Sequence, residues 1–354
     1  MSGRVKLGGP ARLRIQNAAM LGRTTAEVCL RRLVKGPRSP SWNLAAELVT
    51  EILKKQLLAA FEMHDVKAAR SYLDSLVVDS GALARVNVSN ETLETFRGSW
   101  FVPRVDQTER VILFLHGGGY AFYPRGFYDN LSAELALGAK AKLFALDYRL
   151  TPEYRFPAQR MDAVAAYSWL VKSGVSPENL VVLGDSAGGN LTFSLLLFLR
   201  DEKIPLPALG ICLSPATNFG LEALEGAAPD LDWITPQMAM RWADWFCCEN
   251  ERALPLVSPL HADLRGLPPL YIQAGGAEIL LPSIEFFVAE AKRQGADVSL
   301  DVWPEMNHDF QAFGYDVPQS ADALRRINEV IAGRLSTANR KTTSSRCGAG
   351  GVDA

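Results

Sequence analysis

Beyond Phe96 the chain is a succession of short, near-continuous apolar runs: RVILFLHGG, AKLFALDY, NLVVLGDS, ALGICLSPA, PPLYIQAGG and VSLDVWPEMNH. Between several of them lie stretches of helical periodicity, such as PAQRMDAVAAYSWLVKSG and SIEFFVAEAKRQG. A strand with one face in water alternates apolar and polar residues, whereas a strand apolar at nearly every position has to be covered on both sides. Six such strands alternating with helices predict an α/β fold with a mostly parallel sheet between helical layers.

The rest of the chain arranges itself around that pattern. Residues 1–95 read as an N-terminal helical region. Within it, Ser41 to Phe61 places Leu44, Leu48 and Ile52 at helical spacing, a stripe that either packs on the body or roofs a binding site. Residues 96–218 form the first part of the core. Residues 219–257, rich in Trp, Met and Pro, interrupt the alternation and read as a mainly helical insertion above the sheet. Residues 258–336 complete the core. Residues 337–354 are small and polar without apolar periodicity, and read as a disordered tail.

A chain of 354 residues with 48% hydrophobic and 21% charged residues is an ordinary globular composition. A net charge of −2 carries no electrostatic footprint for nucleic acid. The five cysteines at 29, 212, 247, 248 and 347 have no metal-ligand spacing and no disulfide framework, so no metal site is expected and a reduced intracellular setting fits. The neighbours Cys247 and Cys248 read as buried small hydrophobes, with a redox pair as the alternative. Basic residues break every apolar run of the N-terminus. No signal-peptide core and no membrane span is expected, which points to the cytoplasm.

The chemistry gathers at the ends of the apolar runs. Gly184-Asp185-Ser186-Ala187-Gly188 is a G-x-S-x-G string between a strand and the apolar stretch GNLTFSLLLFLR. A turn that tight needs small neighbours, and it lifts the Ser186 hydroxyl above the sheet at a helix N-terminus. A serine hydroxyl needs a base. Of the four histidines, His64 lies in the polar N-terminal region, His116 opens a glycine run, and His261 follows the insertion. His308 follows the last strand, where open α/β sheets build their sites. The base in turn needs a carboxylate, and Glu278 stands in the loop after the fifth strand. Asp263 precedes that strand, and Asp309 adjoins His308 in sequence. The run His116-Gly117-Gly118-Gly119-Tyr120 ends the first strand, where the absence of side chains lets backbone N–H groups approach a developing oxyanion.

Together these residues resemble the hormone-sensitive-lipase-like carboxylesterase branch of the α/β-hydrolase superfamily. The motifs are HGGG, DYRLTPEYRFPA from Asp147, GDSAGGN, SPLHADLRGLPPLYIQAGGAEILL and WPEMNHDFQAF, and the likeness spans roughly Trp100 to Leu335. It implies an eight-stranded, mostly parallel sheet flanked by helices, with a cap built from the N-terminal helices and the insertion. It also implies Ser186 as nucleophile, Glu278 as acid and His308 as base. Gly118, Gly119 and Ala187 would be the oxyanion donors, with His116 ordering its loop. Two departures stand out: Glu278 occupies a position where many members carry Asp, and Pro282 one where many carry an acidic residue.

The implied activity is hydrolysis of carboxylic esters through an acyl-enzyme, with no cofactor. Tyr120 and, from the insertion, Trp233, Met238, Met240, Trp242, Trp245 and Phe246 are candidates to line an apolar acyl pocket, or to pack among themselves. Short- to medium-chain or small-metabolite carboxylic esters are the expected substrates, in preference to long-chain triglycerides. A lipase, lactonase, amidase or natural-product deacetylase would use the same residues. A non-catalytic receptor on this fold, as in the plant gibberellin receptors, would have replaced the histidine that stands here as His308. Pairing into a homodimer is left open.

Overall fold

The computed structural model describes residues 4–123, 125–220, 224 and 230–347. A short ribbon of β1 (Arg4–Leu7) and β2 (Leu76–Asp79) lies apart, with the helices α1 (Ala11–Lys35), α2 (Leu44–Glu62) and α3 (Val66–Asp74) between its strands in sequence. The central sheet begins with β3 (Val86–Thr92) and β4 (Arg97–Pro103), which form a hairpin. The six apolar runs follow as β5 (Val111–Leu115), β6 (Lys142–Asp147), β7 (Leu180–Asp185), β8 (Leu209–Leu213), β9 (Leu270–Gly275) and β10 (Val298–Trp303). Between them run α4 (Arg125–Ala139), α5 (Ala158–Lys172), α6 (Ala187–Asp201), α7 (Pro236–Phe246) and α8 (Leu281–Arg293), and α9 (Pro318–Cys347) follows β10.

The eight strands lie in the order β10-β9-β8-β7-β5-β6-β4-β3. All neighbours are parallel except β3–β4 and β4–β6. The register brings the carboxyl ends to one edge: Leu115 faces Gly184, Gly184 faces Cys212, Cys212 faces Ile272, and Gly275 faces Trp303. The loops leaving β5, β7, β8, β9 and β10 therefore converge over the middle of the sheet.

Burial follows the apolar pattern. Every residue of β5, β7, β8 and β9 is buried. Helix α6 buries Leu191, Leu195, Leu196, Leu197 and Leu199, each contributing about 1.5–3 kcal/mol over exposure. That packing fixes the helix that Ser186 immediately precedes.

The structure corrects several expectations. Strand β3 belongs to the central sheet although it falls within the 1–95 stretch read as helical. It is an edge strand with Asn87, Ser89 and Asn90 exposed, so it lacks the apolar signal of an inner strand. In α2 the stripe of Leu44, Leu48 and Ile52 is not the buried face; Leu44 is exposed, and Ala46, Glu47, Thr50, Leu57 and Ala60 are buried instead. The reason is Glu47. Its carboxylate accepts hydrogen bonds from Arg31, from Arg32 at 2.7 Å and from the Arg38 N–H at 2.8 Å, which offsets the cost of removing it from water. Residues 337–347, read as tail, continue α9 to Cys347; no Gly or Pro interrupts them before Gly348, and residues 348–354 lie outside the described residues. Cys247 is buried but Cys248 is exposed.

Helix α7 of the insertion packs against α2 of the N-terminal region. Thr235 caps α7, accepting from the Met238 N–H, and Trp242 and Trp245 of α7 meet Phe61 of α2 with ring centroids 5.1 and 6.0 Å apart. Arg241 donates to the Phe61 carbonyl at 2.8 Å. Among the described residues no helix is long and apolar enough to cross a membrane. Most of the insertion between Gly220 and Asp230 lies outside the described residues.

Candidate active site

Ser186 sits between β7 and α6 with φ 50° and ψ −116°. Such a backbone costs a non-glycine residue about 1–3 kcal/mol and persists only where its surroundings hold it. They do here: the Ser186 N–H donates to Leu213 O at 2.8 Å, and α6 is locked in the core. The turn closes because Gly188 has no side chain; a Cβ there would stand 1.9 Å from the Leu115 carbonyl oxygen. Ala187 is the first residue of α6, so its N–H belongs to the helix end without intrahelical partners.

His308, in the loop after β10, is fully buried and brings Nε2 to 2.9 Å from Ser186 Oγ. Glu278, in the loop after β9, is buried too. Its Oε2 accepts from Ser214 Oγ at 2.6 Å and from the Gly275 N–H at 2.9 Å. Its Oε1 and the Nδ1 of His308 are both buried, and neither has a hydrogen-bond partner among the described residues. Asp309 approaches the opposite side of the ring, with Oδ2 at 3.2 Å from Nε2. Burial alone would depress the imidazole pKa, but Asp309, Glu278 and Asp232 outweigh it and raise His308 to about 9. Burial pushes the Glu278 carboxyl up, against the pull of His308, Ser214 and Gly275.

The glycine loop after β5 is built on the nucleophile strand. The Gly117 N–H donates to Asp185 Oδ1 at 2.9 Å, and Tyr128 Oη donates to Asp185 Oδ2 at 2.8 Å. Gly118 accepts from the Ala121 and Phe122 N–H groups, turning the loop back on itself. His116 is stacked between Tyr123 and Tyr148 at 3.8 and 4.0 Å. Its Nδ1 lies 2.8 Å from Gly117 O, and burial lowers its pKa to about 3, so the ring is neutral.

This constellation on this sheet can be compared with known proteins. Residues 112–312 match the family model described as the alpha/beta hydrolase fold. An acetyl-hydrolase of Streptomyces hygroscopicus is 37% identical over 241 residues, covering 68% of this chain and 79% of that protein. The esterase LipU of Mycobacterium tuberculosis is 30% identical over 257 residues, covering 70% and 86%. The crystal structure of an esterase from the bacterial hormone-sensitive lipase family superposes with a TM-score of 0.76 at 31% identity, covering 83% of this chain and 99% of that one. The chain belongs to the α/β-hydrolase family. Within it, it falls in the hormone-sensitive-lipase-like branch.

In this hydrolase the cavity above Ser186 has a volume of about 60 Å³. Gly119, Tyr120, Ser186 and Ala187 form its floor side, and Ile234, Met240, Trp242 and Leu280 are among its apolar walls. Gly119 and Trp242 are in intimate contact, since a Cβ on Gly119 would lie 2.3 Å from the indole. Of the aromatic residues expected in the pocket, Tyr120 and Trp242 line it. Phe246 does not; it stacks behind Tyr120 at 4.0 Å. Trp245 stacks on Phe61, and Trp233 turns its indole N–H to the His308 carbonyl at 2.6 Å. Pro236–Phe246 form one helix, so its side chains share several neighbours: Met240, Trp242 and Ala243 line the cavity, and Trp242 also meets Phe61 of α2.

Several residues of the hydrolase site were not singled out by sequence. Ser214, at the end of β8 with φ 44°, donates to Glu278 and accepts the Asp309 N–H at 3.1 Å. The strand-end rule that exposed Ser186 applies equally to it. Asn190 holds Tyr120 Oη at 2.6 Å and ties α6 to the carbonyls of Ala216 and Val257. Asp232 lies in an irregular stretch with no local signal. Pro282, the departure noted above, falls in the first turn of α8, where a missing N–H costs nothing.

Proposed function

We propose that this ester hydrolase cleaves short-chain and small-metabolite carboxylic esters through an acyl-enzyme on Ser186. Ser186 Oγ attacks the ester carbonyl as its proton passes to His308 Nε2. The tetrahedral oxyanion is received by the N–H groups of Gly118, Gly119 and Ala187, and Glu278 balances the imidazolium. Collapse of the intermediate breaks the C–O bond, and His308 returns its proton to the departing alcohol. A water then attacks the acyl group, giving its proton to His308, and the acid leaves as Ser186 is restored. No cofactor takes part.

The observation that carries this reading is the 2.9 Å contact between Ser186 Oγ and His308 Nε2, on an elbow that sets the hydroxyl above the sheet. It also favours a hydrolase over a receptor on the same fold, because the base is present and in reach. The small apolar cavity favours a short acyl group, far below the 300–1,000 Å³ of pockets for drug-sized ligands. The name acetyl-hydrolase carried by one relative agrees with that.

A series of p-nitrophenyl esters from two to about sixteen acyl carbons tests it, with Ser186→Ala as blank. The expected result is a burst of p-nitrophenol followed by turnover, fastest on the shortest acyl groups, and a loss of about 10⁴-fold or more in the variant. Full turnover by Ser186→Ala would remove the acyl-enzyme. Best activity on the longest chains would remove the short-acyl assignment.

A further inference from the structure

Among the described residues, the cap insertion contributes one carboxylate to the interior of the site, and it touches neither Ser186 nor the cavity. Asp232 is 1% exposed. Its Oδ1 accepts the His308 N–H at 3.1 Å and the Trp233 N–H at 2.8 Å, and its Oδ2 accepts the Ile279 N–H at 2.9 Å. Ile279 follows Glu278 directly. The next residue, Trp233, donates its indole N–H to the His308 carbonyl at 2.6 Å, its ring 5.5 Å from the imidazole. Both backbone polar groups of His308 are thus held by adjacent side chains of the cap. Leu231 O accepts from Asn307 Nδ2 at 3.2 Å, and the same amide donates to Thr50 of α2 at 2.8 Å.

We infer that Asp232 and Trp233 form a positioning clamp through which the cap sets the register of His308 against Ser186 and Glu278. The inference rests on the acyl-transfer reading above and extends it from the residues that react to the residues that place them. A carboxylate is well suited to the task. It takes three backbone N–H groups, one from its own neighbour Trp233 and one from each of two other loops, more than the single oxygen of a neutral amide accommodates.

Charge argues in the same direction. The groups facing His308 are Ser186 and Asp309 at Nε2, Glu278, Asp185 below, and Asp232 from the cap. All the titratable ones are acidic. Lys54 of α2 donates to the Asp232 backbone carbonyl at 3.3 Å and not to its carboxylate. The charge that a buried Asp232 can balance is therefore the imidazolium that forms as Ser186 gives up its proton. Burial raises its pKa, while His308 and the three amides pull it back down.

The test is Asp232→Asn, with the pH profile of kcat/KM measured on p-nitrophenyl acetate and the His308 imidazole titrated by NMR, its signal assigned with His308→Gln. The expected loss in kcat is roughly tenfold to a hundredfold, the size of effect that misplacing a catalytic group produces, with KM within about threefold. The acid limb and the imidazole titration both move to lower pH, because a negative charge near the ring is gone. A merely structural Asp232 would lower the melting temperature and leave the limb of the folded protein in place; an unchanged limb and kcat overturn the clamp. If Asp232→Asn does not fold, Trp233→Phe decides. It keeps the ring but removes the bond to the His308 carbonyl, and a fall in kcat at constant KM supports the clamp while an unchanged kcat sinks it. Failure of the esterase reading itself would show separately, as wild-type protein inactive on every ester, and the NMR titration would still decide the clamp.

Discussion

The loops after β5 and β10 each bury a histidine at the carboxyl edge of the same sheet, and their surroundings drive the two rings in opposite directions. His116 lies between the faces of Tyr123 and Tyr148, with no carboxylate in contact among the described residues, and burial depresses its pKa to about 3. His308 is equally buried, but carboxylates from three segments face it, and its pKa rises to about 9. Burial alone therefore does not make a base. A proton is welcome only where negative charge has been brought in to meet it, and importing that charge requires several loops to converge. The β5 loop is stiffened by stacking and by a tie to Asp185, whereas the β10 loop is held by the cap and by Ser214. On the mechanism proposed above, one region supplies backbone N–H groups in a fixed place and the other a proton acceptor.

The largest effect should come from exchanging each ring for a neutral amide. His308→Gln removes the acceptor for the Ser186 proton and should cost about 10⁴-fold or more in kcat. His116→Gln leaves Ser186, His308 and the backbone donors in place and should keep kcat within about tenfold of wild type. Steady-state rates on p-nitrophenyl acetate check both. Equal losses in the two variants would break the distinction between a reacting ring and an ordering one.

A smaller effect sharpens the role of the imported charge. Catalysis needs His308 neutral so that Nε2 can accept a proton. A raised pKa therefore moves the acid limb of kcat/KM upward, from the ordinary histidine range near pH 6.5 into the alkaline range. Asp309 is the carboxylate closest to Nε2, at 3.2 Å. Asp309→Asn should lower the limb by roughly one pH unit and so increase the fraction of active enzyme at neutral pH. A limb that stays where it was would mean that Glu278 and Asp232 carry the shift without Asp309.

The contrast also marks what could be read from sequence. The inner strands were legible because both faces are buried, which leaves an apolar run with no alternation. The edge strand β3 was not, since most of its length faces water and carries Asn87, Ser89 and Asn90. Ser186, Glu278 and His308 stand out in sequence because strand ends are the natural place for a site and only four histidines compete, and the fold brings Ser186 and His308 to 2.9 Å. Which aromatic residues reach the cavity was not legible. Trp242 and Trp245 both meet Phe61 of α2 and only Trp242 also lines the cavity, a matter of tertiary contact alone. Asp232 escaped for a related reason: its meaning lies in what it touches, and nothing in the residues beside it announces it. Asp309 is in view as a rival carboxylate, but its place beside His308 in sequence counts against it, although the fold sets its Oδ2 3.2 Å from Nε2.

The smallest effect is on stability, and it tests the ordering ring directly. The folded-state pKa of His116 is depressed to about 3, below an unfolded value near 6.5. The unfolded chain therefore binds a proton there, as pH falls through 6.5, that the native state refuses until about pH 3. The contribution of this ring is present in full above pH 6.5 and is lost as pH drops through that window, by up to about 1.4 kcal/mol per unit. His116→Phe keeps an aromatic ring between Tyr123 and Tyr148 but removes both the contact with Gly117 O and the buried Nε2 that pairs with no described group. At pH 7 the lost hydrogen bond should make the variant less stable by about 1 kcal/mol. At pH 5 the difference should shrink or reverse, because the phenylalanine has no proton to refuse. Urea unfolding followed by circular dichroism at both pH values measures it. A gap that is the same at pH 5 and pH 7 would show that His116 is not held neutral by burial, and the two histidines would no longer differ in kind.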